Sequence, residues 1–113
     1  MLACVPPLEV KYYRDSKGRS AFLDWFDSLD DRMHQNRIMI RLDRLRKGNF
    51  GDYSSLGGGL HELRMHFGPG YRIYFGLLDK KVVLILAGGS KRSQEQDIDE
   101  VRHVWEHLKV RSK

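Results

Sequence analysis

Three consecutive runs between Leu60 and Gly88 carry strand patterning and are separated by turn residues, which commits this part of the chain to an antiparallel sheet. The first, roughly Leu60 to Phe67, closes at Gly68-Pro69-Gly70. The second, Tyr71 to Leu78, turns at Asp79-Lys80-Lys81 into the third, Val82 to Gly88. The run Val82-Val83-Leu84-Ile85-Leu86 is apolar at every position, so both faces of that strand need cover and it belongs inside the sheet.

Helical periodicity surrounds this unit. Leu8 to Tyr13 alternates as a further strand and is followed by a turn at Asp15-Ser16-Lys17-Gly18. Phe22, Trp25, Phe26 and Leu29 then share one face of a helix and read as core. Asp30-Asp31 supply a second helix start, and Ile38, Leu42 and Leu45 form its buried stripe. Gly48-Asn49 ends that helix, and a Gly/Ser-rich loop is expected as far as Gly59. Ser93 and Gln96 have capping-box spacing ahead of a last helix with the stripe Ile98, Val101, Val104, Trp105 and Leu108. The order β-α-α-β-β-β-α predicts an α+β fold, with helices packed on one face of an antiparallel sheet. A chain of 113 residues supports one such domain, spanning 1–113.

Charge narrows the partners. Twenty Lys and Arg against 15 Asp and Glu leave a net charge of +5, which favours nucleic acid or an acidic protein. Cys4 is the only cysteine, so neither an internal disulfide nor a thiolate zinc site is expected. Met1-Leu2-Ala3-Cys4 loosely matches a lipoprotein cleavage site, but no charged segment or apolar region precedes it. The apolar run from Val82 to Ala87 is too short to cross a bilayer. The expectation is a soluble, cytoplasmic protein with no membrane association.

Alternation along the first hairpin gathers reactive side chains. Leu63, Met65 and Phe67 point one way, while Glu62, Arg64 and His66 point the other. On the next strand, Arg72 and Tyr74 oppose the apolar set Tyr71, Ile73, Phe75 and Leu77. Pairing Phe67 with Tyr71 would set His66 opposite Arg72 and Arg64 opposite Tyr74, with Cβ atoms about 5 Å apart. Such a cluster suits phosphodiester cleavage by an RNA 2′-hydroxyl. Arginines stabilise phosphorane charge without surrendering protons, His66 or Tyr74 handles the proton, and surrounding cations would acidify the phenol. Lys91 and Arg92, in Gly88-Gly89-Ser90-Lys91-Arg92, add positive contacts just beyond the last strand. The scheme calls on no metal or other cofactor. Alternation alone also produces polar residues on a half-exposed sheet, so the pattern is compatible with a plain solvated face.

Arg41-Leu42-Asp43-Arg44-Leu45-Arg46-Lys47-Gly48-Asn49-Phe50-Gly51-Asp52 and Leu56-Gly57-Gly58-Gly59-Leu60-His61-Glu62-Leu63-Arg64 resemble the RelE/ParE toxin superfamily. Phe67-Gly68-Pro69-Gly70-Tyr71-Arg72-Ile73-Tyr74, Leu86-Ala87-Gly88-Gly89-Ser90-Lys91 and Gln96-Asp97-Ile98 continue the likeness, which is nearest to the HigB-like "addiction module killer protein" branch. It runs from about Leu8 to the last helix, with the motifs in the family's order. The resemblance implies a RelE-like fold and a ribosome-dependent messenger-RNA endoribonuclease, neutralised by a helix-turn-helix antitoxin in a hetero-oligomer. It places the family's arginines on Arg64 and Arg72 and its basic residue on Lys91. RelE-type enzymes often carry a late tyrosine, and this chain has none after Tyr74, which brings His66 and Tyr74 forward. ParE-like members of the superfamily instead inhibit DNA gyrase without catalysis, and the fold hosts both activities.

Other signals are weaker. Arg37, Arg41 and Arg44 lie at helical spacing and suit RNA phosphates or an acidic antitoxin, though a solvated face fits as well. His103-Val104-Trp105-Glu106-His107 has the spacing of inverted zinc peptidases, yet the chain closes at Lys113 without a downstream ligand, so a polar helix face is expected. His61 reads as a structural residue on the core side, and His34 is given no role.

Overall fold

Side-chain caps define where the helices begin. Ser20 Oγ accepts the Leu23 N–H at 3.1 Å and opens α1 (Ala21–Asp27). The Asp31 carboxylate accepts the His34 N–H at 3.0 Å and opens α2 (Arg32–Arg46). Gly48 takes a positive φ of 87° just beyond α2, where a side chain would be strained. The computed structural model describes residues 7–111, so the readings on Cys4 and on the first residues lie outside the described part.

Five strands form one sheet: β1 (Glu9–Tyr12), β2 (Tyr53–Gly57), β3 (Leu60–Arg64), β4 (Tyr71–Leu78) and β5 (Val82–Ser90), in the order β1-β5-β4-β3-β2. β2, β3, β4 and β5 pair antiparallel, while β1 lies parallel to β5 at one edge. The expected α+β class and the interior place of the all-apolar strand are both observed. A 3-10 turn (Lys91–Ser93) then leads into α3 (Gln94–Arg111). Ser93 Oγ accepts the Ser90 N–H at 3.2 Å and donates to Asp97 at 2.6 Å, whereas Gln96 bonds Glu100, so the partner in the cap is Asp97 and not Gln96.

Two further details depart from expectation. The segment expected to be loop up to Gly59 contains β2, whose serines and glycines obscure its pairing with β3. The helices cover both faces of the sheet, not one. Phe22 of α1 and Ile38, Leu42 and Leu45 of α2 bury Leu63, Met65, Ile73, Phe75, Val83 and Ile85. On the opposite face, Val101 and Trp105 of α3 bury Leu60, Tyr74 and Leu86. Trp105 lies directly over Gly76, where any Cβ would collide with the indole. The even-numbered residues of β3 and β4 therefore run underneath α3 before they emerge from it.

No helix among the described residues is long and apolar enough to cross a membrane.

Candidate functional site

The hairpin pairs Arg64 with Arg72, Leu63 with Ile73 and Glu62 with Tyr74. This register is offset by two residues from the expected one, because the Met65 N–H bonds the Tyr71 carbonyl at 3.0 Å and leaves residues 66–70 as loop. A two-residue offset keeps every side chain on its expected face. It changes the neighbours: Arg64 no longer faces Tyr74, and His66 leaves the strand altogether.

α3 then divides the polar face. Tyr74 is fully buried and Glu62 is 2% exposed, its carboxylate accepting Gln94 Nε2 at 2.8 Å. The Tyr74 phenol is not acidified as expected. Burial pushes its pKa up, the negative charges of Glu62 and Asp97 add to the rise, and Arg72 only partly offsets it. Arg72 is 8% exposed and its Nε is buried without a hydrogen-bond partner among the described residues. Beyond it, Arg64, His66 and Lys91 reach the surface.

Asp52 organises this open end. Its main chain lies beside Arg64 in the β2–β3 register, and the Arg64 N–H donates to the Asp52 carbonyl at 2.9 Å. One carboxylate oxygen accepts Arg64 Nη2 at 2.9 Å, and the other bonds His66 Nε2. Its pKa is pushed down to about 2, first by the hydrogen bond from Arg64 and then by that from His66. With the Nε2 proton held toward the carboxylate, Nδ1 of His66 keeps a lone pair for another proton. The side chain of His66 is 75% exposed, so this nitrogen belongs to a surface group.

Arg41 secures the base of the cluster. Its guanidinium donates to the carbonyls of Arg64, Phe50 and Asp52 at 2.8, 3.0 and 2.7 Å. Burial lowers its pKa, with Asp52 opposing that shift. Of the helical arginines expected to contact RNA, Arg41 is thus committed to the frame. Arg37 lies 4.4 Å over the Phe67 ring, and Arg44 is exposed.

Two hollows, of about 290 and 660 Å³, meet along Asp52, Arg64, Met65 and His66. Arg37, Ile40, Arg41, Arg44 and Phe67 complete the first. Gly68, Pro69, Gly70, Arg72 and Lys91 complete the second. The structure thus brings Arg64, Arg72, His66 and Lys91 to one depression, and leaves Tyr74 beneath α3 and Arg92 outside it. Chemically, it offers fixed cations, one uncommitted guanidinium and an imidazole oriented by a carboxylate. Among the described residues, no three His, Cys, Asp or Glu side chains gather as a metal site, the pair His103 and His107 on α3 included.

Asp52 escaped notice in the sequence because its segment reads as loop. The signal that could have found it is a hairpin turn at Gly58-Gly59, which pairs Tyr53 with Leu63 and so sets Asp52 beside Arg64.

No model of a known protein family matches this sequence. It is similar to an uncharacterized protein of Haemophilus influenzae, 36% identical over 92 residues that cover 81% of this chain and 93% of that protein.

Proposed function

We propose that this chain, which belongs to the same family as the uncharacterized Haemophilus influenzae protein, is the toxin of a type II toxin–antitoxin pair and cleaves messenger RNA on the ribosome. The observation that carries the reading is one depression holding an Asp52–His66 pair beside the unpartnered, nearly buried Arg72 and the ammonium of Lys91. A nearly buried guanidinium that bonds nothing among the described residues is ready for an anion. Phosphate matches it in charge and in bidentate geometry.

In this scheme Nδ1 of His66 takes the proton of a 2′-hydroxyl, while Asp52 holds the ring and balances the imidazolium. The 2′-oxygen bonds to phosphorus, and the P–O5′ bond breaks. Arg72 and Lys91 stabilise the charge on the phosphorane oxygens. The leaving 5′-oxygen takes a proton from the solvent of the open hollow, and the products are a 2′,3′-cyclic phosphate and a 5′-hydroxyl. Arg64 keeps Asp52 in place. The motif likeness to RelE, ParE and HigB-like toxins supports the cytoplasmic ribosome as target and a helix-turn-helix antitoxin as neutralising partner.

The test is expression without the antitoxin, followed by mapping of transcript 5′ ends. New ends within translated regions are expected from the wild type, and their loss from Arg72→Ala and His66→Ala. Growth arrest without new ends, unaltered by these substitutions, would sink the nuclease and point to gyrase.

A further inference from the structure

His34 has no part in the scheme above, yet it touches the chain on both sides of the site. His66 and Arg72 bear the proposed chemistry, and their neighbours in sequence are Phe67 and Tyr71. His34 Nδ1 lies 2.9 Å from the Tyr71 hydroxyl. Its ring sits 5.4 Å from the Tyr71 ring and 5.2 Å from the Phe67 ring. Between these contacts, Gly68 (φ +56°) crosses the imidazole so closely that an added Cβ would lie 2.7 Å from His34 Cε1. One side chain of α2 thus holds both shoulders and the floor of the loop 66–70.

The imidazole is itself anchored. Nε2 faces the Asp31 carboxylate at 3.6 Å, and the same Asp31 caps α2 by accepting the His34 N–H. With a proton on Nε2 turned toward Asp31, Nδ1 can accept the Tyr71 hydroxyl. Tyr71 also meets the Trp25 ring edge-on at 5.7 Å, and Arg37 covers the outer face of Phe67. Because Tyr71 begins β4, fixing its side chain fixes the backbone from which Arg72 projects to the other face.

We infer that His34 is a positioning residue: it clamps Phe67 and Tyr71 to α2 and thereby sets the placement of His66 and Arg72. This inference rests on the nuclease reading for its kinetic consequence, but its structural part can be measured without RNA.

The experiment compares His34→Ala, His34→Asn and Tyr71→Phe with the wild type in two assays. Asparagine can offer a polar atom near the place of Nδ1, and phenylalanine removes only the hydroxyl. In amide hydrogen exchange on the free protein, residues 65–72 should exchange faster in His34→Ala and recover in His34→Asn. In cleavage of ribosome-bound messenger RNA, kcat should fall about 10- to 100-fold in His34→Ala with KM little changed. Tyr71→Phe should give a smaller loss of the same kind, and His34→Asn should restore most of the rate. Unchanged exchange in 65–72, a loss that asparagine does not rescue, or a rise in KM alone would overturn the inference. If the wild type cleaves no RNA, the nuclease reading fails and the exchange result still decides whether His34 holds the loop.

Discussion

Glu62 and Tyr74 face each other at one end of the β3–β4 hairpin, and Arg64 and Arg72 face each other at the other. All four point to the same side of the sheet, but only the first two lie beneath α3. Under the helix, the phenol lies beside the Glu62 carboxylate and becomes harder to ionise. Beyond the helix, Asp52 links Arg64 to an exposed imidazole. Alternation decides which face a side chain takes, whereas the covering helix decides whether it can meet a substrate. Arg72 stands at the boundary: buried like the first pair, it lines the depression like the second.

The strongest way to break this comparison is at Tyr74. Replacing it with Ala should destabilise the fold by about 3–5 kcal/mol, measured by denaturant unfolding, because it empties the space between Leu60, Leu86 and Trp105. Tyr74→Phe keeps the ring and removes a buried hydroxyl that lies beside the Glu62 carboxylate, so stability should change by no more than about 1 kcal/mol. Its cleavage rate should match the wild type. A large loss of cleavage in Tyr74→Phe would mean that α3 lifts away and that the two ends of the hairpin work as one site.

The next effect falls on Arg72. Arg72→Ala should lower cleavage about 10²- to 10³-fold, the range for losing one fixed stabiliser of transition-state charge. Thermal stability should stay near that of the wild type, since the guanidinium makes no hydrogen bond or ion pair with the described residues. If instead the protein unfolds at a much lower temperature and cleavage per folded molecule is unchanged, Arg72 belongs with Tyr74 and serves the core.

Asp52→Asn sharpens the open end. An amide holds His66 and Arg64 less firmly, and cleavage should fall about tenfold while the fold persists. The same carboxylate predicts an acid transition. Its folded pKa near 2 lies below its ordinary value of 3.8, so its contribution to stability is full above the ordinary value and is lost as the pH falls toward 2. A carbon-13 NMR titration of the Asp52 carboxyl that turned near pH 4 would show that the link to Arg64 and His66 does not persist in solution.

Much of this division could be read from the residues, and the unread part has one cause. The stripes Ile38-Leu42-Leu45 and Val101-Trp105 and the turns at residues 68–70 and 79–81 carry local signals, and each lands where periodicity or turn chemistry puts it. Arg64 and Arg72 take the face that alternation gives them, while His66 and Lys91 reach the same depression from the loop after β3 and the turn after β5. The face taken by α3 is set by packing between distant segments, as when Trp105 seats on Gly76 and donates to the Gly58 carbonyl at 2.7 Å. No local pattern records that contact, so Tyr74 reads as accessible from sequence. Asp52 was hidden for a related reason: Tyr53-Ser54-Ser55-Leu56-Gly57 has little strand propensity of its own and is drawn into the sheet by its pairing with β3.

His61 supplies the smallest effect and extends the comparison to the other face of the same strand. It is 4% exposed, stacks on Phe75 at 5.2 Å, and leaves Nδ1 buried without a partner among the described residues. Burial lowers its pKa below the ordinary 6.5, so the unfolded chain binds its proton first as the pH drops. The contribution of neutral His61 is therefore intact above 6.5 and declines below it, until the folded form is protonated as well. His61→Leu removes that titration while keeping an apolar group against Phe75, so stability should fall less steeply from pH 7 to pH 5. Thermal midpoints across that range measure it. An unchanged slope would show that burial of His61 does not carry the acid sensitivity of this range.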